Sequence, residues 1–149
     1  MTKLNPTDKE INDLSAEQCR ALLDQHHVGR LAYLDTAGVF PVILPVNYLL
    51  LGNDVVVRTD PGSKLRAALH NAPVAFEVDG VDLPREVGWS VLVRGFISEV
   101  TDRAQLEQLR RSALRPWAPG AKAHYLRVSP RQLTGREISV STLPSDWWG

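Results

Sequence analysis

The stretch that decides the fold runs from residue 41 to residue 64. It reads Pro41-Val42-Ile43-Leu44-Pro45-Val46-Asn47-Tyr48, then Val55-Val56-Val57-Arg58-Thr59, then Asp60-Pro61-Gly62-Ser63-Lys64. The first two pieces are apolar and rich in β-branched residues, and Gly52-Asn53-Asp54 between them is a turn signal, so they read as antiparallel strands. Two prolines cannot sit inside a regular ladder, so the first strand lies at an edge or is bulged at Pro41 and Pro45. The third piece ends the second strand and makes Ser63 the N-cap of a short helix carrying Leu65, Ala68 and Leu69, stopped by Asn71 and Pro73. Backbone amides at such a helix start favour an anion such as a phosphate, with Lys64 adding a charge and Arg58 a planar fork. Read locally, the same residues also make an ordinary capped helix with a solvated Lys64.

Upstream, residues 1 to 13 are polar and without period and read as a flexible arm. Ser15-Ala16-Glu17-Gln18 is a capping box opening a helix whose apolar stripe is Cys19, Leu22, Leu23 and His26, and Gly29 is expected to end it. Arg30 to Asp35 is a strand closed by the turn Thr36-Ala37-Gly38.

Downstream, Val74 to Val78 alternates like a strand, Asp79 to Gly88 reads as an exposed loop, and Trp89 to Val100 is a long strand with a bulge or close approach at Gly95. Thr101-Asp102 caps a second amphipathic helix with Leu106, Leu109, Ala113 and Leu114 on one face. Tyr125 to Val128 is a strand ended by Ser129-Pro130, and Thr134 to Ile138 is a last short one. Six or seven strands, with helices that never alternate regularly with them, predict a mainly β fold: an antiparallel barrel with flanking helices. Residues 14–140 form that one domain, and residues 141–149 a tail.

The bulk numbers narrow the function classes. The chain has 149 residues, with 17 basic and 17 acidic side chains for a formal net charge of zero. A nucleic-acid or anionic-membrane binder normally carries a cationic excess, so neither partner is expected. No run of about 18 apolar residues is present and the N-terminus has no apolar signal core, so a cytoplasmic protein is expected. The lone Cys19 excludes an internal disulfide. Of the four histidines, the neighbours His26 and His27 point about 100° apart on a helix, and none has ligand spacing, so no metal site is expected. There is no nucleophile elbow, no P-loop and no dinucleotide fingerprint, and no carboxylate pair stands out. Any reaction would then be carried by a cofactor, with no catalytic side chain of the protein's own.

From Val28 to Gly95 the chain resembles the pyridoxamine 5′-phosphate oxidase-like, FMN-binding split-barrel family. The likeness lies in Val28-Gly29-Arg30-Leu31-Ala32, Pro45-Val46-Asn47-Tyr48, Arg58-Thr59-Asp60-Pro61-Gly62-Ser63-Lys64, Asn71-Ala72-Pro73-Val74 and Trp89-Ser90-Val91-Leu92-Val93-Arg94-Gly95. Leu133-Thr134-Gly135-Arg136 extends it. The resemblance implies a six-stranded split β-barrel that forms a homodimer, with an FMN in each cleft between subunits and hydride exchanged with a small organic substrate. Carried over position by position, Val42, Pro45, Val46 and Asn47 lie along the isoalloxazine and offer backbone groups to its edge. Thr59 and Lys64 fall at the flavin phosphate, with Ser63 beside them and Arg58 assisting, and Trp89 and Ser90 reach the cofactor from another strand.

The chain departs from true pyridoxamine phosphate oxidases in two places. Leu65 stands where they carry a basic residue, and no arginine follows Arg136. The resemblance is closer to the small flavin- or deazaflavin-dependent reductases. An F420 cofactor is the alternative, with Lys3, Lys9 and Arg30 as candidates for its anionic tail, and a non-catalytic flavin or haem carrier is a third reading. Trp147 and Trp148, near the end of the chain, either dock as an apolar tail or line the substrate cleft.

Overall fold

Ser15 begins the first ordered helix as the local sequence dictates. Its Oγ accepts a hydrogen bond from the Gln18 amide at 3.1 Å, and the Gln18 side chain accepts one from the Ser15 amide at 2.8 Å. This closed capping box satisfies two of the helix's orphan donors. The structure is a computed structural model and describes residues 8–59, 70–115 and 124–140. Within them, helix α1 spans Ala16–Gln25 and helix α2 spans Arg103–Arg110. The strands are β1 (Lys9–Asp13), β2 (Val28–Leu34), β3 (Pro41–Leu51), β4 (Asp54–Thr59), β5 (Pro73–Asp82), β6 (Val87–Glu99) and β7 (His124–Val140).

All pairings are antiparallel, and the spatial order β1-β7-β4-β3-β2-β5-β6 is closed by a β6–β7 ladder. Six strands thus make a barrel, and β1 adds a seventh to the outside of β7. The interior is filled by alternate residues of every barrel strand: Leu31, Tyr48, Val55, Val57, Phe76, Val78, Val91, Val93, Leu126 and Val128. Tyr48 and Phe76 meet edge to face with centroids 4.8 Å apart, a geometry that adds to simple burial. Helix α1 plugs the barrel with Cys19 and Leu23. A second, smaller cluster of Val56, Val100, Leu109, Leu114 and Tyr125 packs α2 on the outside of β4, with Leu106 beside it. Ala113, expected on the same face, is exposed.

Four expectations need correction. Residues 9–13 are not a loose arm: they pair with β7 from Lys9–Val140 to Asp13–Arg136, although every side chain stays exposed. With both strand faces solvated there is no hydrophobic alternation to read, and backbone pairing alone defines the strand. Helix α1 ends at Gln25 rather than at Gly29, which belongs to β2; a Cβ there would stand 2.3 Å from the Phe76 ring. Asp79 to Gly88 is not a loop but the end of β5 and the start of β6, joined over residues 83–86, with ladder pairs from Asp79–Ser90 to Asp82–Val87. Finally, the two short strands expected around residues 125–138 are one continuous strand. Pro130 is carried within it because the partner slips register there: Arg94 pairs with Gln132 but Gly95 with Pro130. Gly95 makes this possible, since a Cβ would stand 2.0 Å from the Ser129 carbonyl oxygen.

Candidate functional site

The site is built where two neighbouring strands part. β3 and β4 pair from Leu51–Asp54 to Tyr48–Val57 and no further. Beyond that point β3 stays with β2, through Asn47–Val28, Val46–Gly29, Pro45–Arg30 and on to Pro41–Leu34. β4 instead stays with β7, through Arg58–Tyr125 and Thr59–His124. The half of β3 that carries both prolines is therefore paired on one side only among the described residues. Of the two arrangements open to Pro41 and Pro45, an edge or a bulge, this is the edge, and it leaves a row of backbone groups outside any ladder among the described residues.

Tyr48 sits at the parting point and fixes it. It is 2 % exposed, and its hydroxyl donates to the Leu23 carbonyl of α1 at 2.6 Å. Burial, with a smaller contribution from the charge of Asp24, pushes its phenol up to about 12. Past Tyr48 the side chains alternate. Val42 and Val46 are half-buried, with Val46 packed on the core, whereas Ile43, Pro45 and Asn47 are exposed on the outer face. Of the four β3 residues assigned to the isoalloxazine, two therefore face the interior, and contact through their backbone is the role open to them.

The residues assigned to the phosphate are split by the same alternation. Thr59 points into the barrel at 4 % exposure, and its hydroxyl donates to the His124 carbonyl at 3.2 Å. Arg58 points the other way and donates to the Arg115 carbonyl at 2.7 Å, tying β4 to the segment after α2. Successive strand residues face opposite sides, so Thr59 and Arg58 do not approach one anion from the same face. Ser63 and Lys64 lie outside the described residues, as do Trp147 and Trp148.

Trp89 and Ser90 are divided likewise. Trp89 is half-buried against the core, its indole 4.7 Å from the His26 ring and lying over Gly80, where a Cβ would meet Nε1 at 2.5 Å. Ser90 is exposed on the outer face, between Asp79 on one side and Arg136 on the other. β2 and β5 separate this strand from the open edge of β3. Within one chain, then, the two expected walls of a cofactor cleft are not adjacent.

The outer face between them has two zones. Around Ile43 (65 % exposed) it is apolar, and beside it Leu34, Phe96, Ala32, Pro73 and Ala75 line a shallow hollow of about 640 Å³, with Arg94 and Arg131 at its side. Next to it, one Arg30 nitrogen lies 3.2 Å from both Glu77 and Asp79. The bond and charge of Asp79, then of Glu77, raise the guanidinium's pKa. Burial, reinforced by the neighbouring Asp79, raises that of Glu77 against the opposing pull of Arg30. Arg30, a candidate for an F420 tail, is thus already engaged by two carboxylates. A groove farther along holds Ser90, Arg94, Thr134 and Arg136, of which the sequence reading assigned a role to Ser90 alone. The signal was the two-residue period: Ser90, Leu92 and Arg94 share one face of a strand.

A six-stranded antiparallel barrel that opens between two adjacent strands, with an apolar outer face beside the opening, defines the split-barrel class. The model for the pyridoxamine 5′-phosphate oxidase family matches residues 15–137, and the chain belongs to that family. Among solved structures it is similar to the FAD binding protein of Mycobacterium smegmatis, with 40 % identity and a TM-score of 0.71, covering 85 % of this chain and 98 % of that one. It is also similar to an FAD-binding protein of Mesorhizobium loti, with 25 % identity, a TM-score of 0.68, and 89 % and 99 % of the two chains covered. An uncharacterized protein of Mycobacterium tuberculosis, Rv0080, is 32 % identical over 135 residues, 87 % of each chain.

Proposed function

We propose that this chain is a flavin-dependent oxidoreductase that holds FMN or a larger flavin nucleotide non-covalently between two copies of itself. The observation that carries the reading is the parting of β3 and β4 at Tyr48. Among the described residues it leaves the edge of Pro41–Asn47 with free ladder positions, beside an exposed apolar face. A flat heterocycle with a hydrogen-bonding rim fits such an edge, because the backbone meets the rim and the apolar side chains exclude water. The names of the M. smegmatis and M. loti relatives support a flavin as the heterocycle.

The dimer is part of the same proposal. In one chain Trp89–Ser90 and the β3 edge are separated by β2 and β5, which supports a cleft completed by a second copy. Ile43, Leu34, Val28 and Phe96 give the outer face the apolar character that a self-complementary interface buries. A bound flavin supplies reversible hydride transfer to a small organic acceptor. The chain's own part is to seat the ring along Pro41–Asn47, to present Ser90 to it from β6, and to keep water from the face at Ile43 and Pro45.

Titration of the purified chain with FMN and FAD, followed by flavin fluorescence and visible absorbance, tests this. Stoichiometric binding with quenching is expected, and bound flavin should be reduced and reoxidised by an acceptor. Unchanged fluorescence at protein concentrations well above micromolar would refute the flavin site. Binding without turnover on any acceptor would make the chain a carrier.

A further inference from the structure

The groove between β6 and β7 has a volume of about 510 Å³, and its polar lining is Asp13, Ser90, Arg94, Thr134 and Arg136 around the backbone of Gly135. The register places Arg136 directly across from Ser90, and Thr134 across from Leu92, with Arg94 one outward step beyond. Two guanidiniums therefore flank two hydroxyls on the same outer face. Their existing partners are weak. Arg94 donates to the Gln132 side chain at 3.4 Å, and Arg136 is 3.7 Å from Asp13 with both side chains largely exposed. On the neighbouring strand β5, Glu77 and Asp79 are both held by Arg30. The groove thus carries two guanidiniums against one loosely held carboxylate.

A guanidinium presents a planar fork that matches two phosphate oxygens, and a hydroxyl donates to a third. We propose that this groove binds a phosphate-bearing group, clamped by Arg94 and Arg136 and hydrogen-bonded by Ser90 and Thr134. The proposal rests on the flavin reading only for what carries the phosphate. Ser90 belongs to both sites, so the group is either the diphosphate of a dinucleotide flavin or the phosphate of the substrate.

The test titrates the full chain calorimetrically with inorganic pyrophosphate and orthophosphate at low salt, in wild type, Arg94→Gln, Arg136→Gln, the double variant and the Lys pair Arg94→Lys/Arg136→Lys. Both arginines are exposed, so melting temperatures should stay at the wild-type value. Loss of one charge-assisted contact should weaken pyrophosphate binding about tenfold, and the Lys pair should retain part of it. FMN and FAD titrations then identify the carrier. FAD binding more tightly than FMN, with that advantage lost in the double Gln variant, assigns the phosphate to the cofactor. Equal affinities for the two flavins, with arginine-dependent pyrophosphate binding, assign it to the substrate. Arginine-dependent pyrophosphate binding in a chain that binds neither flavin keeps the groove and removes the flavin reading. Pyrophosphate binding that is absent, or unchanged in well-folded Gln variants, overturns the proposal.

Discussion

Replacing Tyr48 by Phe removes one oxygen at the point where the barrel opens, and its effect can be worked out from the structure. The hydroxyl donates to the Leu23 carbonyl at 2.6 Å in a position 2 % exposed. Without it, that carbonyl keeps only the His26 amide at 3.4 Å among the described residues. A buried neutral hydrogen bond contributes about 1 to 1.5 kcal/mol net, so the variant should be less stable by about that amount at pH 7. The pH dependence has the opposite sign. Burial raises the phenol from 10.0 to about 12, so the folded chain holds a proton that the unfolded chain releases above pH 10. The stabilisation attached to this group is complete below pH 10 and is lost as pH rises toward 12. By pH 11 that loss reaches about 1.4 kcal/mol, and phenylalanine has no such loss. Urea denaturation of both proteins from pH 7 to 11 should show the gap closing and the two curves meeting near pH 11. A gap constant with pH, or none at pH 7, would show that the hydroxyl is not buried against Leu23 and that α1 does not lock the parting point. A flavin titration of the same variant reads whether the lock matters to the site: weaker binding is expected, with the edge of β3 less firmly held.

Three further outcomes follow from named contacts. A Cβ at Gly135 would stand 2.6 Å from the Cys19 sulfur and 3.0 Å from Leu14. Gly135→Ala should therefore cost about 1 to 3 kcal/mol by denaturant titration, and less in a Cys19→Ala background, because the two side chains compete for one space. Ser15→Ala should cost about 1 kcal/mol and loosen the start of α1, read as faster amide exchange over residues 16–19. Ile43→Glu places a charge in the middle of the exposed apolar face without touching the core. For the dimer proposed above, light scattering should report dissociation to a monomer in this variant, with flavin affinity lost alongside and melting temperature little changed. A dimer that persists with full flavin affinity would remove this face from the interface.

Much of the architecture was legible because its signals are local. A capping box, a Gly-Asn-Asp turn and an alternating apolar strand each need only a few consecutive residues, and Ser15–Gln18, Gly52–Asp54 and Val74–Val78 occur where those signals stand. The prolines of β3 narrowed that strand to an edge or a bulge, since a residue without an amide proton does not sit inside a regular two-sided ladder. Strand β1 and the uninterrupted β7 were not legible. Both depend on a partner far away in sequence: β7 passes Pro130 only because Gly95 permits a register slip opposite it.

For the site the division is sharper. The sequence alone determined that residues 41–47 form an apolar strand at an edge or a bulge, that Arg58–Thr59 end the next one, and that the two-residue period puts Ser90 and Arg94 on one face. Tertiary structure alone decided that β3 and β4 part at Tyr48, that Thr59 turns inward and Arg58 outward, and that Arg136 of β7 stands across from Ser90 of β6. The reason is that strand propensity and period are properties of a segment. Which strand pairs with which, and where two neighbours stop pairing, is set by closure of the barrel around one shared core.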